Sequence, residues 1–218
     1  MKLALLHTSP VHVPVFDGLR DAAHPGLALR HLVREELLER ARAAGPGSVA
    51  DDVRTLLEAA AADGADAVLC TCSSIGAVAE GQAAAAGVPV LRVDRPMAAR
   101  AVAAGPRVVV VATTRSTLAP TTALLAEEAA RAGRPVDPRT LLVQDAWELF
   151  LAGEHDAYLD RVAAALDTVT EADADVVVLA QASLAGAAGR TRTTVPVLSS
   201  PGPGLAAAAA ECARAARA

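Results

Sequence analysis

The sequence predicts an α/β fold of two tandem lobes, each a mostly parallel four-stranded sheet flanked by helices. Strand-like and helix-like segments alternate along the chain, and the strand-like segments are almost continuously apolar. The pattern of the first half also returns in the second half. Continuous apolar strands separated by helices are typical of a parallel sheet that is covered on both faces.

The strand-like segments are short runs rich in Leu and β-branched residues. In chain order they read KLALLH, DAVLCT, VPVLRVD, RVVVVAT, TLLV, DVVVLA and VPVLSS, and Ala/Leu/Glu/Arg stretches with helical spacing follow them. A further strand is expected in LRHLVREELL, with His31 at or just after its end. Ser48, three residues before Asp51, predicts the start of a helix, and Gly64 predicts the end of that helix.

An internal repeat relates the two halves at a separation of roughly 105–110 residues. It matches LALLHTSP with VVVVATTRS, ADAVLCTCSSIG with ADVVVLAQASLAG, and GVPVLRV with TVPVLSS. We therefore expect a first lobe of residues 1–94 plus 200–218 and a second lobe of residues 95–199. Lobes related by a pseudo-twofold axis would bring their strand ends together across a cleft. That cleft is the expected active site, because ligands of open α/β sheets bind beyond the carboxyl ends of the strands.

Composition restricts the possible partners. The net charge of −5 argues against nucleic acid and acidic membrane surfaces. No apolar run is long enough to span a membrane, and MKLALLHTSP is too short for a signal sequence, so we expect a cytoplasmic protein. Three cysteines cannot all pair, and free thiols in a reducing compartment are expected.

Four polar clusters fall at the predicted carboxyl ends of strands. They are His7-Thr8-Ser9, Cys72-Ser73-Ser74, Thr113-Thr114-Arg115-Ser116-Thr117 and Gln181-Ala182-Ser183. Hydroxyls and backbone N–H groups at helix starts can hold a carboxylate or a developing oxyanion. The alternative is that the Ser and Thr side chains only cap the helices that follow.

Cys72 is the strongest candidate for chemistry. If the strand runs to Thr71, Cys72 lies at the turn and Ser73 opens the next helix, whose N-terminus would favour the thiolate. Cys70 would still lie within the strand, as a small buried apolar residue. A metal pair is the competing interpretation, but neither a nearby His nor a third Cys supports it.

At these residues the sequence resembles the aspartate/glutamate racemase superfamily, which includes hydantoin racemases, maleate isomerases and arylmalonate decarboxylase. The resemblance covers nearly the whole chain. Cys72-Ser73-Ser74 is similar to the first catalytic cysteine motif, with Ser73 in place of the usual Asn. Thr114 and Thr117 match the threonines of the turn that opens the second lobe. The resemblance also implies a homodimer.

One departure from the family pattern bears on mechanism. Racemases of this family use two cysteines, one per lobe, on opposite sides of the substrate α-carbon. The second-lobe segment here reads LAQASLAG, so Gln181, Ala182 or Ser183 takes that place. His7 stands where racemases tend to have an acidic residue. It could supply or relay a second proton, or it could be a structural residue bonded to neighbouring backbone.

The sequence therefore predicts a cofactor-independent isomerase of the racemase family, acting next to a carboxylate or carbonyl group of a small acid. One alternative is a one-base decarboxylase or lyase, and another is a non-catalytic protein that binds a small carboxylate. A G-x-G-x-x-G motif, a P-loop and a metal cluster are all missing from the sequence, so we expect neither cofactor nor metal. The candidate catalytic residues are Cys72, His7 and Ser183. The candidate substrate-binding residues are Thr8, Ser9, Ser73, Ser74, Thr113, Thr114, Thr117, Gln181 and His31.

Overall fold

Two four-stranded sheets, each with parallel pairing throughout, form the centre of the computed structural model, which describes residues 1–217. They belong to two units. The first contains Met1–Asp94 and the segment from Pro201 onward, and the second contains Arg95–Ser200. Among the described residues, none of the helices combines the length and hydropathy needed to cross a bilayer.

The first sheet has the strand order β2-β1-β3-β4. Its strands are β1 (Lys2–His7), β2 (Ala28–Val33), β3 (Ala67–Cys70) and β4 (Val90–Arg92). The helices of this unit are α1 (His12–Ala23), α2 (Glu35–Ala44), α3 (Ala50–Ala62), α4 (Gly76–Gly81), α5 (Ala83–Ala86) and α10 (Pro201–Ala215). A short 3-10 helix covers Pro46–Val49.

Both faces of this sheet are buried, as the continuous apolar strands predict. Side chains alternate along a strand, so Ala4 and Leu6 of β1 pack on one face with residues of α2 and α3. Leu3 and Leu5 pack on the other face with Phe16 of α1 and with α10.

Of the two predicted ends of α3, the structure confirms the C-terminal end but not the N-terminal one. Ser48 does not cap α3, because it lies in the 3-10 helix and its hydroxyl donates to the carbonyl of Gly45 at 2.7 Å. Val49 is the residue before α3, and its side chain is fully buried. Gly64 does follow the end of the helix, with a φ of +82° that favours glycine.

The second sheet repeats the first with the order β6-β5-β7-β8. Its strands are β5 (Arg107–Ala112), β6 (Asp137–Leu142), β7 (Val176–Leu179) and β8 (Val197–Leu198). The helices of this unit are α6 (Arg95–Ala104), α7 (Arg115–Ala132), α8 (Ala146–Leu151) and α9 (His155–Leu166), with a 3-10 helix at Ala182–Gly189. Val109 and Val111 pack towards α8 and α9, and Val108 and Val110 pack towards α6 and α7.

The last helix, α10, packs on the first sheet, as the sequence predicts. Leu205, Ala208 and Cys212 are buried with Leu3 and Leu5 of β1. The helix approaches the sheet closely at Gly204, where a Cβ atom would lie 2.5 Å from the carbonyl oxygen of Val93. Glycine is required there because any side chain would collide with backbone.

Candidate active site

The turn after β3 carries Cys72. β3 ends at Cys70 rather than at Thr71, and α4 begins only at Gly76. The expectation that Ser73 opens a helix is therefore wrong: residues 73–75 form a turn, and the Ile75 N–H donates to the carbonyl of Cys72 at 3.3 Å. Ile75 is fully buried, which fixes the turn on the core. Cys72 is partly buried and lies four residues before the helix, so the argument from a helix N-terminus does not apply to it.

Cys70 helps to hold this turn. Its side chain is fully buried, and its thiol donates to the carbonyl oxygen of Cys72 at an Sγ–O distance of 3.7 Å. Burial raises the pKa of Cys70 well above its usual range, with a further contribution from nearby Cys72. The thiol therefore keeps its proton and remains a donor. The two cysteines lie close together because one supports the backbone of the other.

His7, at the end of β1, is fully buried and joined to both neighbouring strands. Its Nδ1 lies 2.8 Å from the Thr71 hydroxyl after β3, and its Nε2 lies 2.8 Å from Nδ1 of His31 in β2. Burial lowers the pKa of His7 from 6.5 to about 3, with smaller contributions from His12 and His31. At neutral pH the His7 ring is therefore uncharged.

His31 connects this buried group to the surface. Its Nε2 lies 3.3 Å from Oδ1 of Asp17 in α1, and their side chains are 16% and 39% exposed. Asp17 also accepts a hydrogen bond from Arg20 at 3.3 Å. The sequence suggested His31 for substrate binding, and the structure places both of its ring nitrogens in hydrogen bonds with side chains of the first unit.

The other predicted residues of this unit lie at the same strand ends. Thr8 and Ser73 are buried, whereas Ser9 and Ser74 are partly exposed. Two turns therefore carry the polar residues of the first sheet: residues 8–9 follow β1 and residues 71–74 follow β3.

A buried ion pair lies at the end of β4. Arg92 at the end of β4 donates from Nε and Nη2 to the two carboxylate oxygens of Asp94, at 2.7 and 3.0 Å. The side chains are 2% and 0% exposed. Gly76 accommodates this pair, because a Cβ atom there would lie 3.1 Å from Cβ of Arg92. Sequence reasoning assigned no role to Arg92, although an Arg within an apolar strand is an unusual signal.

In the second unit, Gln181 is tied to Thr113. Its Oε1 accepts hydrogen bonds from the backbone N–H of Thr113 at 2.7 Å and from the Thr113 hydroxyl at 3.1 Å. The Thr113 hydroxyl also lies 3.4 Å from the hydroxyl of Tyr158, which is 2.9 Å from that of Ser183. Burial raises the pKa of Tyr158, so its hydroxyl keeps its proton. The structure thus brings Thr113, Gln181 and Ser183 together through Tyr158, which sequence reasoning missed although it is the one Tyr of the chain.

The predicted threonine turn lies at the start of α7. The Thr117 hydroxyl donates to the carbonyl of Thr114 at 3.0 Å. With that proton in use, Thr117 Oγ1 accepts from the Thr114 hydroxyl, 2.8 Å away. The two hydroxyls are therefore bonded within the turn, and both of their protons are in use.

Strand register shows which residues correspond in the two units. Leu6 of β1 pairs with Cys70 of β3, and Val111 of β5 pairs with Leu179 of β7. Cys72 and Gln181 are each two residues beyond these ends of β3 and β7. Of the three positions that the sequence left open for a second acid/base, the register selects Gln181. It is an amide, and an amide is not a useful proton donor or acceptor near neutral pH.

The fold and these strand ends define a duplicated α/β protein with one half-buried cysteine at a turn. A profile of the Asp/Glu/hydantoin racemase family matches residues 17–212, and the chain belongs to this family of enzymes. A search of curated protein sequences finds no match.

Three solved structures illustrate the similarity of fold. The aspartate racemase of Picrophilus torridus has a TM-score of 0.70 and 12% identity, covering 97% of this chain and 94% of that one. The allantoin racemase of Klebsiella pneumoniae has a TM-score of 0.65 and 17% identity, covering 98% and 88%. Arylmalonate decarboxylase has a TM-score of 0.55 and 20% identity, covering 97% and 92%. At these identities the similarity shows the shared fold alone.

Proposed function

We propose that this protein is a cofactor-independent enzyme that acts at the carbon next to a carboxylate or carbonyl group of a small acid, with Cys72 as its acid/base. Membership of the racemase family supports an isomerase. The turn of Cys72 supports the residue assignment, because Cys70 and Ile75 hold its backbone while its side chain is only partly buried.

The single observation that directs the mechanism is that Gln181 occupies the place in the second unit that Cys72 occupies in the first. A two-base racemase needs a second group that exchanges a proton with carbon, and an amide does not meet that need. We therefore propose that the reaction uses one acid/base. In an isomerisation of this kind, the Cys72 thiolate removes a proton next to the carbonyl and returns it to another position of the delocalised anion.

The same observation favours a decarboxylase as the second candidate. In that reaction the bond between the α-carbon and one carboxylate breaks, CO₂ leaves, and the electron pair remains as an enediolate. The Cys72 thiol then gives its proton to carbon, and the resulting thiolate takes a proton from water. A second base is not required.

The candidates for oxyanion stabilisation are hydroxyls at the strand ends. In the first unit the candidates are Thr8, Ser9, Ser73 and Ser74. In the second they are Thr113, Thr114, Thr117 and Ser183. A preorganised donor of this type contributes about 10²–10³-fold to the rate when it contacts the developing charge. The Thr114 and Thr117 hydroxyls are bonded to each other and to the Thr114 carbonyl, so they would have to turn their protons towards the substrate to donate to an oxyanion.

The test is to incubate the protein in D₂O with a panel of aryl-substituted, acyl-substituted and dicarboxylic acids. NMR follows deuterium incorporation and isomer composition, and a coupled assay follows CO₂. We expect one class of these acids to react. We expect free aspartate and glutamate not to racemise at a useful rate, because their α-protons are weakly acidic and need two matched thiols.

Cys72→Ala is expected to abolish the reaction, while Cys212→Ala, which removes a buried thiol of α10, is expected to retain it. Rapid racemisation of aspartate or glutamate by the wild type would contradict the one-base mechanism. Binding of these acids without any exchange or CO₂ release would support the non-catalytic carboxylate-binding protein instead.

A further inference from the structure

Thr71 is fixed to β1 by two bonds to the same acceptor. Its backbone N–H donates to the Leu6 carbonyl at 3.0 Å, and its hydroxyl donates to that carbonyl at 3.1 Å. A threonine hydroxyl has one proton, so while that proton is on the Leu6 carbonyl, Oγ1 of Thr71 accepts from Nδ1 of His7, 2.8 Å away. His7 is therefore protonated on Nδ1.

The second nitrogen of His7 is then an acceptor. The ring is fully buried, so a second proton on it would be a buried charge. Nε2 must accept a hydrogen bond from Nδ1 of His31, at 2.8 Å. The proton between the two rings thus belongs to His31.

Asp17 is the outermost residue of this series of hydrogen bonds and determines the direction of its bond with His31. Its carboxylate is partly exposed and accepts a hydrogen bond from Arg20 at 3.3 Å. It can only accept from Nε2 of His31, 3.3 Å away. His31 therefore donates from both nitrogens, to Asp17 and to His7, while His7 is neutral.

We propose that Asp17, His31 and His7 are positioning residues. His31 donates outward to Asp17 and inward to His7, His7 donates to Thr71, and these bonds fix the Thr71 hydroxyl and thereby the turn that carries Cys72. The side chains run from the surface to the strand end: Asp17 on α1, His31 on β2, His7 on β1 and Thr71 after β3.

Loss of the donor from His31 removes the constraint on the His7 tautomer. Nε2 of His7 could then take the ring proton, and Nδ1 would become an acceptor. To satisfy it, Thr71 would have to turn its hydroxyl proton away from the Leu6 carbonyl. The residue that precedes Cys72 would then have two hydrogen-bonding arrangements in place of one. The chain thus removes an alternative state of the turn.

This inference takes the role of Cys72 from the proposed function, but its first test needs no substrate. The ¹⁵N-histidine-labelled wild type is studied by long-range ¹H–¹⁵N correlation NMR at neutral pH. We expect His7 to carry its proton on Nδ1 alone and His31 to carry protons on both nitrogens. Spectra of His7→Asn and His31→Gln assign the signals. A proton on Nε2 of His7, or a neutral His31, would overturn the proposal.

The second test compares His31→Gln with His31→Leu. A glutamine amide can still donate to Nε2 of His7, whereas leucine cannot. Cys72 alkylation by iodoacetamide is expected to keep a rate close to that of the wild type in His31→Gln and to change several-fold in His31→Leu. A purely space-filling role predicts the reverse order or equal rates, and either result would contradict the inference.

The two sets of experiments separate the claims. If the NMR tautomers are as expected but none of the acids in the panel reacts, the inference about the positioning residues holds and the proposed function fails. If an acid reacts through Cys72 but His7 carries its proton on Nε2, the proposed function holds and the inference about the positioning residues fails.

Discussion

Oε1 of Gln181 accepts a hydrogen bond from the backbone N–H of Thr113 at 2.7 Å. In the first unit, Cys72 corresponds to Gln181 and Thr8 corresponds to Thr113. The correspondence follows from the register. Leu6 pairs with the last residue of β3, and Val111 pairs with the last residue of β7. Thr8 lies two residues after Leu6, and Thr113 lies two residues after Val111. One half of the duplication therefore has a thiol at this position, and the other has an amide that holds the preceding turn.

The first prediction is that Gln181→Cys adds racemisation to the activity. A thiol at this position supplies the second acid/base that the family pattern has. We expect an enantiomerically pure acid of the class that the wild type accepts to racemise at least about tenfold faster, since a positioned acid/base contributes about 10²–10⁴-fold. Chiral chromatography of the product measures the effect.

Gln181→Ser is the matched control, since it removes the same amide without adding a base. Loss of the bond to the Thr113 N–H is expected to cost both variants about 1 kcal/mol of stability. Equal racemisation by the Ser and Cys variants would contradict the prediction.

The second prediction is that Cys72 is the first thiol to be alkylated. Cys70 and Cys212 are fully buried, and burial raises the pKa of Cys212 to about 11. Burial raises the pKa of Cys70 as well. Both remain protonated and out of contact with reagent at neutral pH, whereas Cys72 is partly exposed. Mass spectrometry after brief iodoacetamide treatment should find label on Cys72, and label on Cys70 at equal speed would refute this order.

The alternation of apolar strands and helices was sufficient to predict two parallel sheets, because burial on both faces leaves a pattern that each strand carries by itself. The end of β1 was predicted for the same reason, whereas β3 ends one residue earlier than expected. The series of hydrogen bonds from Asp17 to Thr71 was not predicted. Its bonds join residues that are 14, 24 and 64 positions apart, and they depend on the register between strands. The helix after Cys72 starts later than expected because Ile75 is drawn into the core.

The third prediction concerns Ser200, whose side-chain oxygen is buried and has no hydrogen-bond partner among residues 1–217. Pro201 and Pro203 follow it in the sequence and have no N–H to donate. A buried hydroxyl without a partner costs about 1–3 kcal/mol. Ser200→Ala is therefore expected to raise the free energy of unfolding by about 1 kcal/mol, as measured by urea denaturation.

The control for Ser200 is a buried hydroxyl that has a partner. Thr121 is fully buried and its hydroxyl donates to the Thr117 carbonyl at 2.8 Å, so Thr121→Val is expected to leave stability unchanged or lower it. A loss of stability in Ser200→Ala would show that its hydroxyl has a partner in solution.

The fourth prediction is a loss of stability in mild acid that depends on His7. Its pKa is lowered from 6.5 to about 3 in the folded chain, mainly by burial. Between these values the unfolded chain binds a proton that the folded chain does not, so stability falls as pH decreases from about 6.5 towards 3. At pH 5 the His7 contribution is a loss of about 2 kcal/mol relative to neutral pH. His12, whose pKa burial lowers to about 4, adds a loss of the same sign. His31 and Asp17 complete the set of titratable groups around this ring.

The measurement is the free energy of unfolding from urea titrations between pH 5 and 7.5, with His7→Asn as the comparison. Asparagine keeps a donor towards Thr71 but does not titrate, so the variant loses the His7 part of the slope whatever its absolute stability. His24→Asn changes a histidine outside this cluster, in the segment that joins α1 to β2, and is expected to keep the wild-type slope. A slope in His7→Asn equal to that of the wild type would show that His7 is not held neutral, and it would remove the basis for placing the proton between the two rings on His31.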